Sequence, residues 1–260
     1  MTRFPITAAL FLAFLAPSVF ANPADGSAEL SPGQKAVRAA AAQSQFAFIL
    51  FYRTNDEPTG NMHQTLQSTL ANRNDVVTIP VQISDTAEQD LITQFDATRL
   101  PLPAVAVLAP NGAITSVFPQ RVAPQQLTAA IVSSGQAACL KALQHQRIVL
   151  LCVQPEGNSE VPEGVRDFQA DDLYKNRTDV IHVQANDPAE ARCLQQLRLR
   201  TDQPNPVVAF MAPPGVMLGA FNANVTMEIL AQKLAAAGKC CDDANCKHHR
   251  PASSAPPQRR

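Results

Sequence analysis

No tryptophan occurs in the 260 residues, and neither sign of charge dominates: 21 lysines and arginines face 22 aspartates and glutamates, for a formal net charge of −1. Such a chain sets up no bulk field toward nucleic acid or an anionic membrane. Three motifs are also missing. There is no glycine-rich loop to cradle a phosphate, no Gly-X-Ser-X-Gly elbow to present a serine, and no basic stretch interleaved with aromatics. None of the six cysteines stands in a Cys-X2-Cys pair. What is present is a chain 46% hydrophobic and 17% charged. That is apolar enough for two compact cores and too apolar for disorder.

Long apolar runs are equally scarce. Residues 6–14 form one, behind a positive Arg3, but it is short for a membrane span. Val19-Phe20-Ala21 follows with small residues at the −3 and −1 positions. This is the pattern of a cleaved export signal over 1–21, with the cut after Ala21. A polar leader covers 22–30. No cysteine follows the cut, which argues against lipid attachment, and no later stretch is long enough to cross a bilayer. The expectation is an exported protein, periplasmic or secreted, without a membrane span once processed. Its cysteines (Cys139, Cys152, Cys193, Cys240, Cys241, Cys246) then meet an oxidising compartment.

One stretch is written twice. Pro103-Ala-Val-Ala-Val-Leu-Ala-Pro-Asn-Gly112 returns as Pro206-Val-Val-Ala-Phe-Met-Ala-Pro-Pro-Gly215. In each, proline opens an apolar run and Ala-Pro-X-Gly closes it, the signature of a buried strand ending in a tight turn. Two copies at domain-sized separation predict two similar domains, 31–134 and 135–237, joined by a very short link.

Read in order, the first domain opens with Ser31-Pro32 as N-cap and N1 of a helix over 33–45. A central strand follows over 46–52, then a polar loop over 53–61 and a helix over 62–71. Next come a strand over 76–83, a helix over 86–95, the repeated strand, its hairpin partner over 114–118 and a closing helix over 124–133. The second domain repeats the order: helix 137–145, strand 148–153, helix 162–174, strand 179–183, helix 188–197, strand from 206, partner 216–221 and helix 227–237.

This order resembles that of the thioredoxin-like superfamily. The resemblance implies an α/β fold of tandem thioredoxin-like domains, each a central mixed sheet flanked by helices. It also implies a cis-proline-like strand start at Pro103 and another at Pro206. In that superfamily a redox-active member carries Cys-X-X-Cys just after the first central strand. A helix N-terminus there lowers the first thiol's pKa. At that place this chain has Asp56-Glu57-Pro58-Thr59, and the second domain has a sulfur-free run over 154–161. No catalytic residue is therefore expected in either domain. Asp56 and Glu57 read as helix cap and dipole partner rather than as an acid–base pair with His63. His145 and His182 lack a ligand partner at short spacing.

The other cysteines read as structural. Cys139 precedes the strand that Cys152 ends, so a Cys139–Cys152 bridge is one expectation; Cys193 is expected buried. The tail, 238–260, is the one chemically dense stretch. Cys240, Cys241, Cys246, His248 and His249 could form a disulfide, or a thiolate-rich site suited to Zn or Cu(I). Adjacent Cys240 and Cys241 fit one closed tetrahedral site poorly, so no cofactor is certain. Sulfur-free thioredoxin-like domains imply a binding or scaffold module with a protein or peptide partner. The alternative is thiol or metal handling through the tail.

Overall fold

The computed structural model describes residues 30–157, 159–200 and 202–237. The expected signal over 1–21, nearly all of the expected leader and the Cys/His-rich stretch over 238–260 lie outside the described residues. From Ser31 onward the described residues belong to one unit, and it contains two four-stranded mixed sheets flanked by helices.

The first sheet is built on the longest apolar run of its half, β1 (Phe46–Tyr52), in which Phe46 to Phe51 are all buried. A strand this apolar must be covered on both faces. It lies at the centre of the sheet, parallel to β2 (Val76–Gln82) and antiparallel to β3 (Ala104–Leu108). β3 turns back into β4 (Ile114–Pro119). The turn works because Gly112 adopts φ +78° and its N–H donates to the Ala109 carbonyl at 2.8 Å; a left-handed φ suits glycine. β2 carries Pro80 and is an edge strand, where a missing N–H is tolerated.

Alternation along β1 sorts its residues into two layers. Phe46, Phe48 and Leu50 meet α2 (Glu57–Leu70) through Met62, Leu66 and Leu70, and α4 (Pro124–Ala129) through Leu127. Ala47, Ile49 and Phe51 meet α1 (Pro32–Ala42) and α3 (Gln89–Gln94) through Ala40, Leu91 and Ile92. Burying one such aliphatic or aromatic side chain contributes about 1.5–3 kcal/mol.

The second half repeats the plan with β5 (Ile148–Gln154), β6 (Thr178–Gln184), β7 (Val207–Ala212) and β8 (Val216–Asn222), in the order β6-β5-β7-β8. α6 (Glu163–Ala170) and α8 (Met227–Ala237) cover one face. α5 (Ser134–Gln144) and α7 (Ala191–Gln196) cover the other. α5 also serves the first half. Its Ala137 belongs to the first half's core. Its Gln144 amide brackets Ile114 on β4, accepting from the backbone N–H at 3.0 Å and donating to the carbonyl at 2.6 Å. A side-chain amide thereby occupies hydrogen-bonding groups that an edge strand would otherwise leave open.

Several expectations need correction. The segment 53–61 is not a loop throughout: α2 starts at Glu57, because Asp56 caps it and Pro58 sits in the first turn, where no N–H is needed. The helix expected over 162–174 ends at Ala170, and the one over 188–197 begins at Ala191. Among the described residues the cis peptide bonds are Leu102–Pro103 and Pro213–Pro214. The bond before Pro206 is thus trans, the lower-energy form of an X-Pro bond by about 0.5–1 kcal/mol, so the expectation at Pro206 is corrected. A Cys139–Cys152 bridge is ruled out by sheet alternation. Cys152 faces Phe168 and Phe210, whereas Cys139 packs on the opposite face with Val149 and Leu151. Both are free thiols.

Candidate functional site

The sulfur-free turn of the first half is assembled where β1 runs out. Tyr52 ends the strand, 53–56 form the turn, and α2 begins. Asp56 Oδ1 accepts from the Thr59 N–H at 3.0 Å and Oδ2 from the Thr54 hydroxyl at 3.2 Å. The Thr59 side chain and backbone, then Thr54, hold the Asp56 carboxyl below its ordinary range. A carboxylate tied this way stays ionised and acts as a cap. It is poorly placed to exchange protons near neutral pH. Glu57 is the first residue of α2, where negative charge complements the helix dipole. Thr59, in the first turn of α2, is buried.

The turn separates two depressions. One, of about 520 Å³, is lined by Glu57, Pro58, Asn61, Met62 and Thr65 from α2 and by Gln120, Arg121 and Val122 beyond β4. The other, of about 350 Å³, runs between Tyr52, Asn55, Asp56, Thr59, Gly60 and His63. Asp56 and Glu57 therefore open to different sides, and His63 joins Asp56 but not Glu57. An acid–base pair of the two carboxylates with His63 is not assembled. What the arrangement offers is a groove with one charge of each sign, amide donors and acceptors, and an apolar floor. Gln120 also ties this groove to the proline-led strand, since its N–H donates to the Pro103 carbonyl at 2.7 Å. The sequence alone does not single out Gln120 and Arg121; a polar pair just after a hairpin strand is the one signal it offers.

The second half has no equivalent cap. β5 ends at Gln154, a loop follows, and α6 starts after Pro162, which makes no side-chain cap hydrogen bond. Its described cysteines are buried and held as thiols. Burial, aided by the neighbouring Cys193 and Glu190, pushes the Cys139 thiol up to about 12; burial alone does the same for Cys152. Burial and Glu190 push Cys193 to about 11. Since the thiolate is the nucleophile, such thiols exchange slowly at neutral pH.

Among the described residues no group of three His, Cys, Asp or Glu side chains could hold a metal ion. No described helix is long and apolar enough to cross a membrane. Cys240, Cys241, Cys246, His248 and His249 fall outside the described residues.

No protein-family model and no curated protein matches the sequence. Similar solved structures include oxidised thioredoxin O2 from Arabidopsis thaliana, 15% identical, covering 37% of this chain and 81% of that one with a TM-score of 0.31. Mitochondrial thioredoxin 3 from Saccharomyces cerevisiae is 18% identical over 37% of this chain and 86% of its own, with a TM-score of 0.30. The chain is α/β. Its two four-stranded mixed sheets, each with one parallel and two antiparallel pairings and helices on both faces, are the arrangement expected of tandem thioredoxin-like domains.

Proposed function

We propose that this chain is an exported, redox-inactive tandem thioredoxin-like module that binds a protein or peptide segment in the groove beside the start of α2. The observation that carries the reading is the turn itself: Asp56, Glu57, Pro58 and Thr59 lead from β1 into α2 without sulfur, and the groove of about 520 Å³ opens beside them. Asp56 is committed to capping, so the turn supplies shape and charge rather than a nucleophile. Arg121 and Glu57 would orient an extended segment through its charges, while Pro58, Met62 and Val122 provide apolar contact. Export is supported by the N-terminal sequence pattern over 1–21.

The test is a displayed random-peptide selection against the chain from residue 22 onward. Selected peptides should lose at least tenfold in affinity, roughly 1.4 kcal/mol, on Arg121→Glu, and should keep it when 238–260 is deleted. Reduction of a disulfide substrate at thioredoxin-like rates would sink the redox-inactive reading. The rival proposal, thiol or metal handling by the tail, predicts the reverse pattern. In that case deleting 238–260 abolishes Zn or Cu(I) uptake or thiol exchange, and Arg121→Glu changes nothing.

A further inference from the structure

The two halves share a buried clamp. Ser31 Oγ donates to Glu88 Oε2 at 2.6 Å and the Gly33 N–H to Glu88 Oε1 at 2.7 Å, holding the start of α1 against the residue before α3. In the second half Ser133 donates to Glu190 at 2.6 Å and Gly135 to Glu190 at 2.8 Å, across the same sequence spacings. The clamp fixes how the first helix of each half lies on the third. One turn along each helix, the facing positions are therefore the same in both halves. In the first half they are Val37 and Leu91, which share one core layer. In the second they are Cys139, four residues beyond Gly135 on α5, and Cys193, three beyond Glu190 on α7. Spacings of three and four keep each cysteine on the face that its clamp residue presents. Both thiols are buried and reduced, at 6% and 5% exposure. They are close enough for charge on Cys193 to disfavour charge on Cys139.

We propose that Cys139 and Cys193 are a disulfide-forming pair that staples α5 to α7 under oxidising conditions. Cys152 has no share in it, because it lies on the opposite face of the second sheet. Of the pair, Cys193 opens on a cleft of about 60 Å³ beside Ser133, Gln136, Arg192 and Gln196. It reacts first. As its thiolate, Cys193 Sγ attacks a low-molecular-weight disulfide such as oxidised glutathione, and one small thiolate leaves. Cys139 then gives up its proton and attacks the Cys193 sulfur of the mixed disulfide, releasing the second small thiolate. The two cysteines lose two electrons and two protons in all, and the small disulfide is reduced to two thiols. The bridge joins elements that the clamp already apposes, and it is independent of what the first half binds.

The experiment uses the full chain, reduced, desalted and incubated with oxidised glutathione, then unfolded in alkylating agent and digested without reductant. The expected product is a linked peptide pair containing Cys139 and Cys193, with Cys152 alkylated and a Tm that falls on reduction. Cys139→Ser should trap glutathione on Cys193, and Cys152→Ser should leave the linked pair intact. Recovery of both Cys139 and Cys193 as alkylated thiols after oxidation would overturn the proposal. So would Cys193 linked to Cys240, Cys241 or Cys246.

Discussion

The back of each half and the front of each half have had different fates. At the back, the Ser–Gly–Glu clamp occurs in both, and so do the left-handed residues that end the helices: Ser44 and Gln146 at φ 57° and 59°, Asp96 and Arg198 at φ 47° and 54°. Even the bond across the sheet is matched, from Gln45 Nε2 to the Asn74 carbonyl and from Arg147 Nη1 to the Asn176 carbonyl, each at 2.8 Å. At the front the halves part. α2 runs 14 residues behind an aspartate cap and flanks two depressions, whereas α6 runs 8 residues from an uncapped proline. The lesson is one of constraint. Buried hydrogen bonds at the back admit few substitutes, while the turn at the front faces solvent and is free to carry recognition.

The sharpest way to break the comparison lies in the second helix of each half. A Cβ at Gly164 on α6 would run into the Val225 carbonyl and the Thr226 backbone, which cannot swing aside. Gly164→Ala should cost roughly 3 kcal/mol by overpacking, read as a lowered urea midpoint. Next in size, Glu88→Ala strands a buried hydroxyl and a buried backbone N–H, and Glu190→Ala a half-buried hydroxyl and a buried backbone N–H. About 2–3 kcal/mol each is expected. Their double variant should add within about 0.5 kcal/mol if the halves are energetically separate. A clear excess or deficit would show coupling through α5, which serves both cores.

A Cβ at Gly60, the counterpart on α2, would meet nothing within 4 Å. Gly60→Ala should therefore stabilise, by about 0.5–1 kcal/mol, the opposite sign to Gly164→Ala. The smallest effect concerns the cap. The folded-state pKa of Asp56 lies below its ordinary 3.8. Its contribution is thus present at neutral pH and is lost as pH falls below 3.8 and through the folded value. Asp56→Asn still caps but does not titrate. It should be slightly less stable than the parent at pH 7 and equal to it in strong acid, checked by urea midpoints across pH.

Most elements are legible in the sequence because their signals are local. Phe46–Tyr52 is an unbroken apolar run, and each repeated hairpin announces itself by Ala-Pro-X-Gly. The start of α2 is only half legible: Asp56 and Glu57 read as cap and dipole partner, but Pro58 counts as a breaker along the chain, although in the first turn it is harmless. Glu88 and Glu190 look like surface acids. Their partners lie 57 residues away in each half, and only the recurrence of that spacing beside Ser-X-Gly marks them in the sequence. The groove is half legible: Glu57 and Pro58 are on view, but Gln120 and Arg121 approach them from beyond β4.

By itself the sequence determined the duplication, the strand and helix order and the absence of sulfur at both front turns, since each follows from residue type and periodicity within a short window. The tertiary structure decided what faces what. Alternation along β5 sends Cys152 to the face that α6 and α8 cover, whereas Cys139 and Cys193 sit on α5 and α7, which cover the other face. Which carboxylates are buried depends on how two helices meet, a contact that no single stretch of chain encodes.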